Sequence, residues 1–123
     1  MATVIGLGGF FFKAREPVKL GEWYQQWLGM ELEPEHNSVS FKPSTLPKKA
    51  YSVWSPFNQD TDYFQPSDQA AMVNLIVDDV TDALSQVREG GAEIVGEIEE
   101  CEFGVFGWFI DPEGNKVELW KPV

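Results

Sequence analysis

Leu20, Trp23, Tyr24, Trp27 and Leu28 fall at the i, i+3, i+4, i+7 and i+8 spacing of one apolar helix face. Glu16-Pro17 opens that helix, because a proline in the first turn gives up an N–H that would have no intrahelical partner. Gly29 stands where a left-handed residue closes a helix. The spacing therefore predicts a helix over 17–28. A second pattern of this kind, Val80, Ala83, Leu84 and Val87, predicts a helix over 80–88. Asp78-Asp79 can cap its first amides, and Gly90-Gly91 ends it.

Between and around the helices lie segments suited to a pleated surface. Thr3 to Ala14 reads as a strand on Val4, Ile5 and the consecutive Phe10, Phe11 and Phe12. Met30–Glu33, Ser38–Lys42 and Ala50–Ser55 are short strand-like pieces, separated by Asn37 and by the turn-forming stretch 43–49. Residues 56–69 are polar, Asp-bearing and without period, and read as a connecting loop. A strand over 70–77 precedes the second helix, and strands over 93–97, 102–110 and 115–121 follow it. Asp111-Pro112-Glu113-Gly114 joins the last two as a tight turn with proline at its second position.

The order is βαβββ, loop, βαβββ, and the two helix-ending glycines, Gly29 and Gly91, lie 62 residues apart. The chain is expected to be one α+β domain over 1–123. It has a first βαβββ repeat over 1–56, a linker loop over 57–69 and a second repeat over 70–123. Each repeat would bury its helix against a curved, mostly antiparallel sheet, leaving the opposite sheet faces to line a cavity.

Composition narrows the possible functions. The chain is 43% hydrophobic and 14% aromatic over 123 residues, which excludes disorder despite a net charge of −11. The acid surplus excludes nucleic-acid binding and electrostatic docking on anionic lipid. Its distribution is uneven. Residues 1–59 carry six basic and five acidic side chains, while residues 60–123 carry three and fifteen. Solubility alone would account for the charge, but such a half would also draw a cationic partner.

Much chemistry is absent. Cys101 is the single cysteine, which excludes an intramolecular disulfide and a Cys-cluster zinc site; it is expected as a buried or half-buried structural thiol. His36, the single histidine, sits in the polar stretch Glu35-His36-Asn37-Ser38 and reads as a solvated loop residue. No P-loop or GxGxxG fingerprint occurs. No basic segment leads into an apolar one at the start, and the longest apolar run, 4–12, is nine residues. A soluble, cytoplasmic protein is the expectation.

Four segments carry a family resemblance. They are Phe11-Phe12-Lys13-Ala14-Arg15-Glu16-Pro17, Glu22-Trp23-Tyr24-Gln25-Gln26-Trp27-Leu28-Gly29-Met30, Val73-Asn74-Leu75-Ile76-Val77-Asp78-Asp79, and the stretch from Phe109 to Trp120 with its Asp-Pro-Glu-Gly-Asn turn. In this order they resemble the vicinal-oxygen-chelate superfamily of glyoxalases, bleomycin-resistance proteins and extradiol dioxygenases. The resemblance implies two βαβββ repeats around a pocket. In metal-dependent members it implies four ligand positions, which fall here near Gly9, Val53 and Met72 and at Glu118. Glycine and valine offer no side-chain donor and a thioether suits hard ions poorly, so only Glu118 survives as a ligand. A neighbouring register recovers no donor set. No metal and no cofactor are expected.

Strand parity from those positions puts Phe11, Lys13, Asn74, Ile76, Lys116 and Trp120 beside the pocket. The candidate ligand-binding residues are Phe11, Met72, Asn74, Trp108 and Trp120. Glu118 is the candidate catalytic base or ligand-anchoring carboxylate, unless it is a relic paired with Lys13 or Lys116. Three functions stay open. One is a metal-independent sequestration protein for an aromatic or cationic small molecule. The second is a glyoxalase-like lyase or dioxygenase relative, metal-dependent or using Glu118 as base. The third is a non-catalytic interaction module. The resemblance also implies a homodimer.

Overall fold

Both periodic apolar faces become helices in the computed structural model, which describes residues 1–123: α1 (Pro17–Leu28) and α2 (Val80–Glu89). Proline stands in the first turn of α1, and Gly29 closes it at φ 67° and ψ 24°, a left-handed conformation that costs a residue without Cβ nothing. Asp79 caps α2, its carboxylate accepting from the amide of Asp82 at 2.9 Å. Neither helix is long and apolar enough to cross a membrane.

Four strands complete the fold: β1 (Val73–Ile76), β2 (Glu93–Cys101), β3 (Gly104–Ile110) and β4 (Lys116–Pro122). They form one open mixed sheet in the order β1-β4-β3-β2, with β1 parallel to β4 and the other neighbours antiparallel. The 111–114 turn sets the β3–β4 register, pairing Phe109 with Val117 and Gly107 with Leu119. Parity then sends Phe109, Val117 and Leu119 to the helix side, where all three are fully buried with Val87. Burial of each such side chain stabilises by about 1.5–3 kcal/mol. Gly107 lets α2 lie close, since a Cβ there would stand 2.8 Å from Leu84 Cδ1 and 2.9 Å from Val80 Cγ1.

Helix α1 packs beside α2 on this same face. Trp23 Nε1 donates to the carbonyl of Gly90 at 2.8 Å, and Gln86 Nε2 to that of Trp27 at 2.7 Å. The buried Tyr24 hydroxyl donates to Asp111 Oδ2 at 2.8 Å, while Asp111 Oδ1 accepts the amides of Glu113 and Asn115. Burial, and then the charge of Asp111, push the Tyr24 phenol far above its usual range.

Glu113, in the same turn, clips the chain entering α1. Its carboxylate accepts the amides of Arg15 and Glu16 at 3.0 and 2.9 Å and the Arg15 guanidinium at 3.4 Å. The two backbone amides are the main reason its carboxyl titrates below the usual glutamate value of 4.5. A carboxyl depressed in the folded state contributes stability above pH 4.5, and that contribution fades as pH falls through the folded value. In an acid titration of thermal stability, wild type is expected to lose more below pH 4.5 than Glu113→Gln. Superimposable curves would refute the clip.

The first repeat departs from expectation. The strands predicted over 3–14, 38–42 and 50–55 do not form, and of 30–33 only the isolated bridge Glu33–Ser38 remains. The four-strand sheet comes from the second repeat alone, and both helices share one of its faces. Of 17 buried residues, only Leu20 and Tyr24 precede Val80. Physically, a strand-like pattern states which side chains want cover, but the ladder needs a partner edge that local sequence does not supply. The α+β class stands. Cys101, expected buried, is exposed at the end of edge strand β2, while His36 is exposed in its loop as expected.

A candidate ligand site on the open sheet face

Period-2 alternation leaves the face away from the helices to Lys116, Glu118 and Trp120 of β4 and Phe106, Trp108 and Ile110 of β3. Register sets Asn74 and Trp108 on either side of Glu118, and Ile76 and Phe106 on either side of Trp120. Phe106 is stacked on Trp108, with centroids 6.5 Å apart at 15°, and on Trp120, at 6.1 Å and 12°. These rings form a flat aromatic row across the sheet. Tyr51 closes one end, edge-on to Trp120 at 5.1 Å.

Glu118 is the polar centre of this face and is 9% exposed. Asn74 Nδ2 donates to its Oε1 at 2.7 Å, and Trp108 Nε1 to its Oε2 at 2.8 Å. The Tyr63 hydroxyl donates to Oε2 as well, at 2.5 Å. Three of the carboxylate's roughly four acceptor positions are thus taken by neutral donors. No cation lies within ion-pair distance, so the pairing with Lys13 or Lys116 that the sequence left open is not made.

The 56–69 segment, read from sequence as a connecting loop, folds over this face. Lys116 Nζ donates to the Tyr63 carbonyl at 2.6 Å, and Ser67 Oγ to that of Gly114 at 2.6 Å. The Tyr63 ring stacks on Phe57 at 5.6 Å and meets Trp108 edge-on at 6.4 Å. Lys116 Nζ stands 5.2 Å from the Tyr63 centroid and 6.0 Å from that of Trp108. Burial pushes the Lys116 ammonium below the usual lysine range, opposed by the charges of Glu118 and Asp62. Burial and the bond to Glu118 raise the Tyr63 phenol, which stays protonated at neutral pH.

The candidate residues divide. Asn74, Trp108, Trp120 and Glu118 come together. Met72 is half-buried just before β1. Phe11 does not join them: it is 93% exposed in the N-terminal segment, which forms neither helix nor strand. Tyr63, Phe57 and Phe106 were missed, although three aromatics within residues 57–64 are unusual for a solvated loop. The slot above Glu118 is filled by Tyr63. Two open hollows flank it. One, about 750 Å³, is bounded by Lys13, Arg15, Pro66, Gln69 and Glu113, and one, about 260 Å³, by Tyr51, Phe103 and Trp120. Nowhere do three His, Cys, Asp or Glu side chains converge as metal ligands would.

The model of a family described as "Glyoxalase-like domain" matches residues 9–120. Among solved structures, TnmS3, described as an antibiotic binding protein from Streptomyces sp. CB03234, is similar at TM-score 0.59 and 19% identity, with both chains covered completely. TioX from Micromonospora sp. ML1 matches at 0.49 and 14%, over 100% of this chain and 97% of its own. The integron cassette protein VCH_CASS1 from the mobile metagenome of V. Cholerae matches at 0.46 and 22%, over 88% and 87%. No curated protein matches the sequence.

Proposed function

The chain belongs to the glyoxalase-like domain family, and on that premise we propose that it is a small-molecule-binding protein that sequesters its ligand without a metal. The observation that carries this reading is the face around Glu118: a buried carboxylate oriented by three neutral donors at the centre of an aromatic row. An apolar surface with a few convergent polar groups suits a partly apolar organic ligand. A metal would need further donors beside Glu118, and the neighbours are Asn74, Trp108 and Tyr63. The description of TnmS3 as antibiotic binding, on the same fold, supports the same class of role. In this reading Glu118, Asn74, Trp108 and Trp120 contact the ligand, and the protein is soluble and cytoplasmic.

The unit that binds is a homodimer. The first repeat leaves Val4, Ile5, Phe11, Phe41, Val53 and Trp54 exposed, Phe11 by 93% and Trp54 by 80%. Together such side chains present on the order of 1,000 Å² of apolar surface, the scale of a standard interface. The near-neutral first half also suits the acidic second half of another copy better than two acidic halves suit each other.

Light scattering after size exclusion should give twice the chain mass, and Phe11→Asp with Trp54→Asp should halve it. A monomeric wild type would overturn the dimer. Ligand binding is tested separately by thermal shift in metal-free buffer, with planar aromatic compounds expected to raise the melting temperature. A panel without one stabilising compound sinks the binding reading.

A further inference from the structure

The donors around Glu118 are of two kinds. Asn74 on β1 and Trp108 on β3 are fixed by the sheet, at 2.7 and 2.8 Å. Tyr63 is not. It comes from a loop without helix or strand, its side chain is 39% exposed, and it reaches Glu118 Oε2 at 2.5 Å. Its ring has the surroundings of a bound aromatic: Phe57 stacked at 19°, Trp108 edge-on at 88°, and a lysine ammonium over the ring.

We propose that the ligand is a hydroxylated planar aromatic, a phenol that displaces Tyr63, donates its hydroxyl to Glu118 and lies along the Phe106–Trp108 rings. This rests on the small-molecule reading and narrows it. A cationic ligand, which the charge of the second half suggests, fits this spot poorly. Lys116 Nζ stands 5.2 Å from the Tyr63 centroid, where it favours an electron-rich ring and repels a cation. Glu118 needs a neutral O–H donor to replace the one it loses, since an unfilled buried acceptor costs more than a filled one gains. A phenolate would meet the carboxylate with like charge. The acids of β2, Glu93, Glu97, Glu99 and Glu100, are exposed and lie along the sheet edge, and only Glu99, paired with Phe106, acts by its charge on the Tyr63 hydroxyl.

Isothermal titration with 2-naphthol and 2-methoxynaphthalene tests this on the intact protein at neutral pH. The naphthol should bind roughly ten-fold more tightly than its methyl ether, the worth of one hydrogen bond to a charged acceptor. Tyr63→Phe keeps the ring and removes the competing hydroxyl, so it should tighten naphthol binding by a similar factor. Glu118→Gln should shrink the gap between naphthol and ether; should that variant fail to fold, Tyr63→Phe still decides. An ether that matches the naphthol, with naphthol affinity unchanged in Tyr63→Phe, overturns the phenol and leaves small-molecule binding intact. Failure of both probes, with no stabilising compound in the thermal-shift panel, removes the phenol and the binding reading together.

Discussion

Glu118→Ala is expected to lower the unfolding free energy by about 3 kcal/mol, more than a typical substitution and without removing any core apolar surface. Three hydrogen bonds end on that carboxylate, from Tyr63, Asn74 and Trp108. Without it, the Trp108 indole N–H, on a residue 7% exposed, loses its carboxylate acceptor and has little access to water. Tyr63 can swing out and hydrate, which is why the loss stays below the sum of three charge-assisted bonds. Glu118→Gln should cost less, about 1–2 kcal/mol, because one amide oxygen still accepts while its NH₂ faces other donors. Urea unfolding at neutral pH reads both values, with the m-value unchanged if the denatured state is unaffected. An alanine variant within 0.5 kcal/mol of wild type would mean that the network is not formed in solution.

The helices were legible because a helix states its own boundaries. Pro17 and Gly29 bracket one apolar stripe, and Asp79 and Gly90 the other. The strands after α2 were legible for a related reason: β2, β3 and β4 follow one another through short turns that fix each partner, as 111–114 does for β3 and β4. The strand predicted over 3–14 carried an equally apolar signal but no local partner. Phe10, Phe11 and Phe12 specify a surface that wants cover, and nothing near them in sequence says whose.

The same division runs through the site. Period-2 parity was enough to put Asn74 and Trp120 on one sheet face with Glu118, because strand geometry alone carries that information. Tyr63 was hidden, since the position of a loop side chain depends on the path of the loop. The direction of Lys116 was hidden for a similar reason. Its partner is a loop carbonyl rather than the Glu118 carboxylate two residues along the strand. Charge arithmetic located the acids in the second half, and the structure sets four of those fifteen, Glu93, Glu97, Glu99 and Glu100, on the exposed edge strand β2.

Phe109 and Trp108 are adjacent on β3 and face opposite sides of the sheet, so replacing each should separate fold from function. Phe109 is fully buried against Trp23 and Tyr24, with ring centroids 5.9 and 6.4 Å away. Phe109→Ala removes that ring from the centre of the helix–sheet core and leaves a cavity between α1 and β3. The expected loss is about 4 kcal/mol, equivalent to a melting temperature lower by roughly 15 °C in a domain of this size. The site face should survive in whatever fraction remains folded, because Glu118 and its donors project away from the cavity. Trp108→Phe has the opposite profile. It keeps an aromatic surface beside Phe106 and removes one N–H donor to Glu118, for a loss of about 1–2 kcal/mol. Its larger effect should be on binding, through a carboxylate held by Asn74 alone once Tyr63 moves away. Thermal melts and titration with 2-naphthol on both variants decide the matter. If Phe109→Ala loses no more stability than Trp108→Phe, the helices do not pack on this sheet face as the structure has them.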